Sequence, residues 1–173
     1  MSRIDDIFNE LSELERKQSF PPVQSWHPER EGDIDIHIDA SGDWYHEGSR
    51  FQRKALVKLF SSILRKDADG YCLVTPAEKL RIDVADVPFV AIDVERGDGE
   101  KGPELIFTTN VDEYVTADED HPIWVDASGG SPRPYIHVRA GLNALISRPL
   151  YYRLVDLCTE ADGRHWLISR GTR

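Results

Sequence analysis

At 173 residues, with 31 acidic and 21 basic side chains, the chain carries a formal charge of −10, which opposes general binding to nucleic acid or to an anionic membrane because both are polyanions. The length suits one domain or two small ones, burying about 70% of the unfolded surface without metal or disulfide support. Cys72 and Cys158 lie far apart in apolar runs, no apolar run reaches about 18 residues, and the N-terminus is acidic, so a reduced cytoplasmic protein is expected, with neither zinc motif nor disulfide framework.

Ile4, Ile7, Phe8, Leu11 and Leu14 recur at helical spacing, with Ser2 placed as a cap and Asp5 and Asp6 near the positive end. This predicts an N-terminal docking helix. Pro21-Pro22 ends it and opens an irregular stretch in which Trp26 is the one large apolar anchor. Ile34, Ile36 and Ile38 alternate with Asp35, His37 and Asp39, the period of a strand with one dry face; Ala40-Ser41-Gly42 supplies a turn and Trp44-Tyr45-His46 a return strand. A helix is predicted over 50–65, with Leu56, Leu59, Phe60 and Ile63 on its apolar side, stopped by Asp67 to Gly70. A buried strand over 71–74 leads into Thr75-Pro76-Ala77-Glu78, which has the letters of a capping box and predicts one helical turn.

Strands follow over 80–84, 87–95, 105–109, 113–117, 123–126 and 135–139, then a short apolar segment over 142–146, a helix over 150–159 and a last strand over 165–169. Gly97-Asp98-Gly99-Glu100-Lys101-Gly102 spells a dinucleotide-binding fingerprint, but Pro103 and Glu104 lead into a strand where that motif needs a helix, so it reads as a hairpin tip.

Four short runs recur in order. Asp39-Ala40-Ser41-Gly42 matches Asp126-Ala127-Ser128-Gly129; Leu56-Val57-Lys58-Leu59 matches Leu154-Val155-Asp156-Leu157; Ala68-Asp69-Gly70 matches Ala161-Asp162-Gly163; Leu73-Val74-Thr75 matches Leu167-Ile168-Ser169. The expected fold is therefore α+β: duplicated strand-strand-helix-strand units with mostly antiparallel sheets, plus the N-terminal helix. The first unit is expected over 1–83 and the second over 84–173.

No catalytic signature is present. Asp67, Asp69, Gly70 and Glu78 imitate parts of a calcium loop, but Tyr71 and Cys72 occupy positions that need an oxygen ligand and a glycine bend. Asp112, Glu113 and Asp118 to His121 read as a solvated acidic loop. Asp35, His37 and Asp39 share one strand face, the geometry from which a metal-assisted hydrolase would be built, and the wet face of a hairpin is the plainer reading. Arg50, Lys54, Lys58 and Arg65 form a basic stripe on the predicted helix, with Arg53 beside it; Thr75 to Lys79 adds capped amides and a lysine suited to phosphate, and Ser169 and Arg173 stand opposite Thr75 and Lys79 in the repeat.

The stretch from Trp26-His27-Pro28 through Gly42-Asp43-Trp44 and Leu56 to Phe60, and above all Leu73 to Lys79 followed by Val84-Ala85-Asp86-Val87-Pro88-Phe89, resembles the bacterial family called domain of unknown function 1285. The resemblance implies a duplicated core, a second domain loosely similar to pleckstrin-homology folds, a nucleotide-like ligand between the domains and a role in signalling; it supplies no catalytic residues. The leading expectation is a non-catalytic sensor or adaptor, without a cofactor, that binds a small anionic, nucleotide-based ligand between its two units. Arg53, Lys54, Thr75 and Lys79 would meet phosphate, Trp44 or Trp26 would offer a stacking face, and Glu78 or Asp86 would accept base or ribose hydrogen bonds. The hydrolase is one alternative; a protein-interaction module using the acidic loop and the N-terminal helix is the other.

Overall fold

Alternating apolar residues and tight polar turns build the chain into two units, which the computed structural model describes over residues 3–7 and 20–173 and which divide between Asp86 and Val87. Residues 3–7 are helical (α1), with Ile4 and Ile7 buried, and Arg3 Nη2 donates to Glu78 Oε2 at 2.9 Å. Ser2, Phe8, Leu11 and Leu14, on which the rest of that helix was predicted, lie outside the described residues.

The first unit runs β1 (Arg30–Ile38), β2 (Trp44–His46), β3 (Ser49–Arg50), α2 (Lys54–Ser62), β4 (Leu64–Asp67), β5 (Gly70–Val74) and β6 (Glu78–Val84). These strands form one sheet in the order β3-β2-β1-β6-β5-β4, antiparallel except where β1 meets β6. The period of β1 buries Ile36 and Ile38 and leaves His37 half-exposed. Asp39 Oδ1 then accepts from the Ser41 and Asp43 N–H groups, both at 2.9 Å, and turns the chain into β2. Ile38, Trp44, Phe60, Leu64, Leu73 and Leu80 make the centre of this core.

The second unit runs β7 (Phe89–Gly99), β8 (Gly102–Thr109), β9 (Tyr114–Thr116), β10 (Ile123–Asp126), β11 (Arg133–Arg139), β12 (Leu142–Ile146), α3 (Arg148–Leu157) and the hairpin β13 (Thr159–Ala161) and β14 (Arg164–Trp166). Its main sheet has the order β10-β11-β12-β7-β8-β9, again antiparallel except where β7 meets β12. The glycine-rich stretch is the β7–β8 hairpin tip, as its context requires: Gly99 pairs with Gly102, and a side chain at Gly99 would come within 2.6 Å of Glu104 Oε2.

Each unit is thus two three-stranded meanders whose first and sixth strands pair in parallel, so the fold is duplicated, α+β and mostly antiparallel. Strand by strand, the repeat sets β1–β6 on β7–β12, and the four matching runs fall at positions that are not topologically equivalent. Asp39 to Gly42 turns the first strand into the second, whereas Asp126 to Gly129 turns the fourth into the fifth. The helix moves as well. In the first unit α2 lies in the crossover between third and fourth strands; in the second that crossover is the loop 117–122, and α3 follows the sixth strand.

Two local expectations need correction. The helix predicted over 50–65 is shorter because Ser49 and Arg50 pair back onto His46 and Tyr45, and Leu64 to Asp67 pair with β5. Arg50 and Arg65 therefore leave the basic stripe: Arg50 Nη2 donates to Asp43 Oδ1 at 2.7 Å, and Arg65 is buried. Thr75 to Glu78 is the β5–β6 turn and not a helical one, since the Thr75 N–H donates to the Glu78 carbonyl at 2.9 Å and Glu78 already pairs with Arg30. Thr75 Oγ1 still accepts from the Ala77 and Glu78 N–H groups, both at 3.2 Å, so its capping chemistry serves a hairpin.

Candidate functional site

Several of the predicted ligand residues of the first unit are engaged with other parts of that unit. Asp67 is the centre: Arg65 Nε and Nη2 donate to its two oxygens at 2.7 and 2.9 Å, and Lys79 Nζ lies 2.8 Å from Oδ2 and 3.2 Å from Asp69 Oδ1. Arg65 Nη1 also donates to the carbonyls of Val23 and Trp26 at 2.8 and 2.7 Å, tying the entering chain to β4. The bond from Arg65, aided by Lys79 against the effect of burial, holds the Asp67 carboxyl down at about 2. Lys79 is 8% exposed and meets two carboxylates, so a phosphate would have to displace an internal ion pair. Thr75 is buried in its turn, Glu78 is paired with Arg3, and Trp26 is half-buried.

Trp44 is 2% exposed, so its ring packs in the core beside Phe51 and presents no stacking face. Arg53 is the exposed N-cap of α2, Lys54 is its exposed first residue, and Asp86 is half-buried at the end of the unit. The fold therefore gathers Thr75, Glu78 and Lys79 on one turn and links Trp26 to them through Arg65 and Asp67, while Trp44 stays inside. His37 Nδ1 lies 2.6 Å from Asp83 Oδ2, and Asp39 is used in its turn. Among the described residues no three His, Cys, Asp or Glu side chains gather as a metal site.

Cys72 is buried, and its Sγ donates to the Arg65 carbonyl at 3.6 Å. Burial, reinforced by Asp67, pushes its thiol up to about 11. Iodoacetamide at pH 8 is accordingly expected to leave Cys72 unmodified in the native protein and to label it after denaturation, as peptide mass spectrometry will show.

The second unit holds a cavity of about 460 Å³ between β8, β10, β11, α3 and the segment after β14. Leu105, Ile123, Leu154, Val155, Trp166 and Leu167 supply apolar wall, and Asp118, His165, Ser169, Thr172 and Arg173 bring polar groups to it. Tyr151 and Val155 of α3, with Cys158 just past its end, form a second apolar stripe beside the buried Leu150 and Leu154, and all three line the cavity. That stripe was the legible signal, since an i, i+4, i+7 set beside a complete core face has no partner in the sheet.

The segment that closes the cavity is pinned at several points. Ser169 Oγ accepts from the Leu105 N–H at 2.9 Å, and the Arg170 N–H donates to the Pro103 carbonyl at 2.8 Å. Arg170 Nε donates to Glu104 Oε2 at 2.8 Å and Nη1 to Asp118 Oδ2 at 3.1 Å. A tight turn with positive φ at Arg170 (48°) and Gly171 (75°) brings Thr172 back to Ser169. The Arg173 guanidinium then lies 5.6 Å from the centre of the Trp166 ring. Topologically, Ser169 to Thr172 is not the counterpart of the turn at Thr75 to Glu78, which matches the β11–β12 turn instead.

Two of the groups at the cavity are held away from reactive protonation states. Burial raises the Asp118 carboxyl, but bonds from His121 and Arg170 outweigh it and leave the group below the usual carboxylate range, hence ionised. Burial pushes the Cys158 thiol up, and its Sγ donates to the Leu154 carbonyl at 3.4 Å. A protonated thiol and a committed carboxylate are a poor nucleophile and a poor base.

Comparison with known proteins covers nearly the whole chain. The family model described as Domain of unknown function (DUF1285), N-terminal domain, matches residues 21–87, and that described as Protein of unknown function (DUF1285), C-terminal domain, matches residues 88–172. Among solved structures, the chain is similar to a DUF1285 family protein from Silicibacter pomeroyi DSS-3, with 46% identity and a TM-score of 0.81 over 90% of this chain and 86% of that one. It is also similar to a DUF1285 family protein from Shewanella baltica OS155, with 28% identity and a TM-score of 0.57 over 70% of this chain and 90% of that one. No curated protein matches the chain.

Proposed function

The chain belongs to the DUF1285 family, and from that footing we propose that it is a non-catalytic cytoplasmic sensor or adaptor that binds a small anionic organic ligand, seated in the cavity of the second unit. The observation that carries this reading is the cavity itself. Its volume of about 460 Å³ falls in the range of roughly 300–1,000 Å³ typical of small-molecule sites. Its walls are chiefly apolar, with a few polar groups converging from separate elements, the pattern that orients a ligand. Of the expected phosphate contacts, Lys79 already meets two carboxylates and Thr75 is used within its turn, which favours a site elsewhere than that turn. No helix among the described residues is long and apolar enough to cross a membrane, and the two cysteines are unpaired thiols, which fits a reducing compartment.

A thermal-melt screen of the full chain against nucleotides, cyclic dinucleotides, coenzyme A derivatives and other organic anions tests the reading. A ligand at about 100 times its Kd adds about 2.7 kcal/mol, or roughly 5–10 °C for a chain of this size. Val155→Trp, which places an indole in the cavity from a position 53% exposed, is expected to abolish that rise with little loss of stability. A flat screen, or a rise that persists in Val155→Trp, removes the cavity as the binding site and favours an interaction module.

A further inference from the structure

Resting on that reading, we propose that the ligand is an amphipathic anion, with an apolar body in the cavity and a carboxylate or phosphate head received by Arg133 and Arg148 in an adjoining groove. The groove, about 260 Å³, lies where the starts of β11 and α3 come together. Pro134 and Tyr151 line both hollows, so the two adjoin at those side chains. The groove contrasts with the rest of the molecule: in a chain of net charge −10 it carries two guanidinium groups and, among the described residues, no carboxylate in its lining.

The two arginines differ in what they already do. Arg133 opens β11 opposite Asp126 of β10, whose carboxyl it helps lower, and its guanidinium lies 6.0 Å from the centre of the Tyr135 ring. Arg148 opens α3, is exposed, and makes no ion pair among the described residues. Arg148 is therefore the main head contact and Arg133 the second. A planar guanidinium with paired donors fits carboxylate and phosphate oxygens alike.

The joined geometry selects the ligand class. A wholly apolar molecule would fill the cavity and leave the exposed Arg148 guanidinium without an anion, whereas a compact anion would meet the arginines and leave the apolar walls wet. Only a molecule with both parts uses the burial of the cavity and the charge of the groove together.

Calorimetric titration of the full chain with octyl phosphate, octanoate, octanol and inorganic phosphate tests this. One or both anions are expected to bind, octanol about tenfold or more weakly, and inorganic phosphate without measurable affinity. The anion that binds more tightly distinguishes a phosphate from a carboxylate head. Arg133→Ala with Arg148→Ala, both at exposed positions, is expected to weaken the anions about tenfold or more while leaving octanol unchanged. Val155→Trp is expected to weaken octanol and the anions together. Equal affinity for octanol and the anions, or anion binding unchanged in the double variant, overturns the head assignment and leaves the cavity reading standing. Anion binding unchanged in Val155→Trp overturns the joined site, and failure of all four probes overturns the amphipathic class while the wider screen judges the cavity separately.

Discussion

Asp67→Ala is expected to destabilise the first unit by about 3–5 kcal/mol, because it leaves Arg65 and Lys79, at 8% and 10% side-chain exposure, without the carboxylate they share. Urea denaturation of the full chain will read the loss as an earlier transition in the first unit, and hydrogen exchange at β4 and β5 will locate it. The same carboxylate carries a pH signature. Its value is about 2 in the fold against an ordinary 3.8, so between those limits the unfolded chain binds more protons than the folded one, and stability rises with pH. The contribution, about 2 kcal/mol, is complete above about pH 5 and disappears as pH falls through about 2. Asp67→Asn is therefore expected to flatten this part of the acid limb and to be less stable than the wild type at neutral pH. An Asp67→Ala protein within 1 kcal/mol of the wild type would show that the cluster adds little beyond its own desolvation.

Trp44→Ala is expected to cost about 3–5 kcal/mol, the usual range for removing a large ring from a packed core. Trp44→Phe should cost under about 1 kcal/mol, since the lost ring area is offset by a second effect. Trp44 Nε1 is buried and, among the described residues, is the one side-chain nitrogen or oxygen that is buried without a hydrogen-bond partner. Removing that donor removes an unmet desolvation penalty while keeping a ring against Phe51 and the rest of the core. Melting curves of the two variants separate the effects: a large loss in both would assign the indole N–H a partner, whereas a large loss in Ala alone fits the orphan donor.

Most strands could be read directly from the residues. Period-two alternation placed β1 because a sheet side with one dry face leaves that mark in order, the short apolar segment over 142–146 proved to be β12, and the Pro103 context turned a dinucleotide motif into a hairpin tip. The duplication was also legible, although its register was not. Matching tetrapeptides such as Asp39 to Gly42 and Asp126 to Gly129 reflect the shared chemistry of Asx turns, which recurs wherever strands reverse. Equivalence of position depends on which strands pair, and a parallel pairing such as β1 with β6 joins residues far apart in the chain.

The site followed the same division. Residue chemistry established that Arg65, Asp67, Thr75 and Lys79 were polar groups with capability for charge or capping, whereas the stripe of Tyr151, Val155 and Cys158 went unread. Partner choice came from the packing: β4 pairing with β5 turned Arg65 inward onto Asp67, which also took Lys79, and the pinned turn at Ser169 to Thr172 closed a cavity around the spare stripe of α3. A side chain's functional groups are local properties, whereas the free energy of leaving them exposed, paired or buried belongs to the whole set of neighbours that pairing brings within a few ångströms.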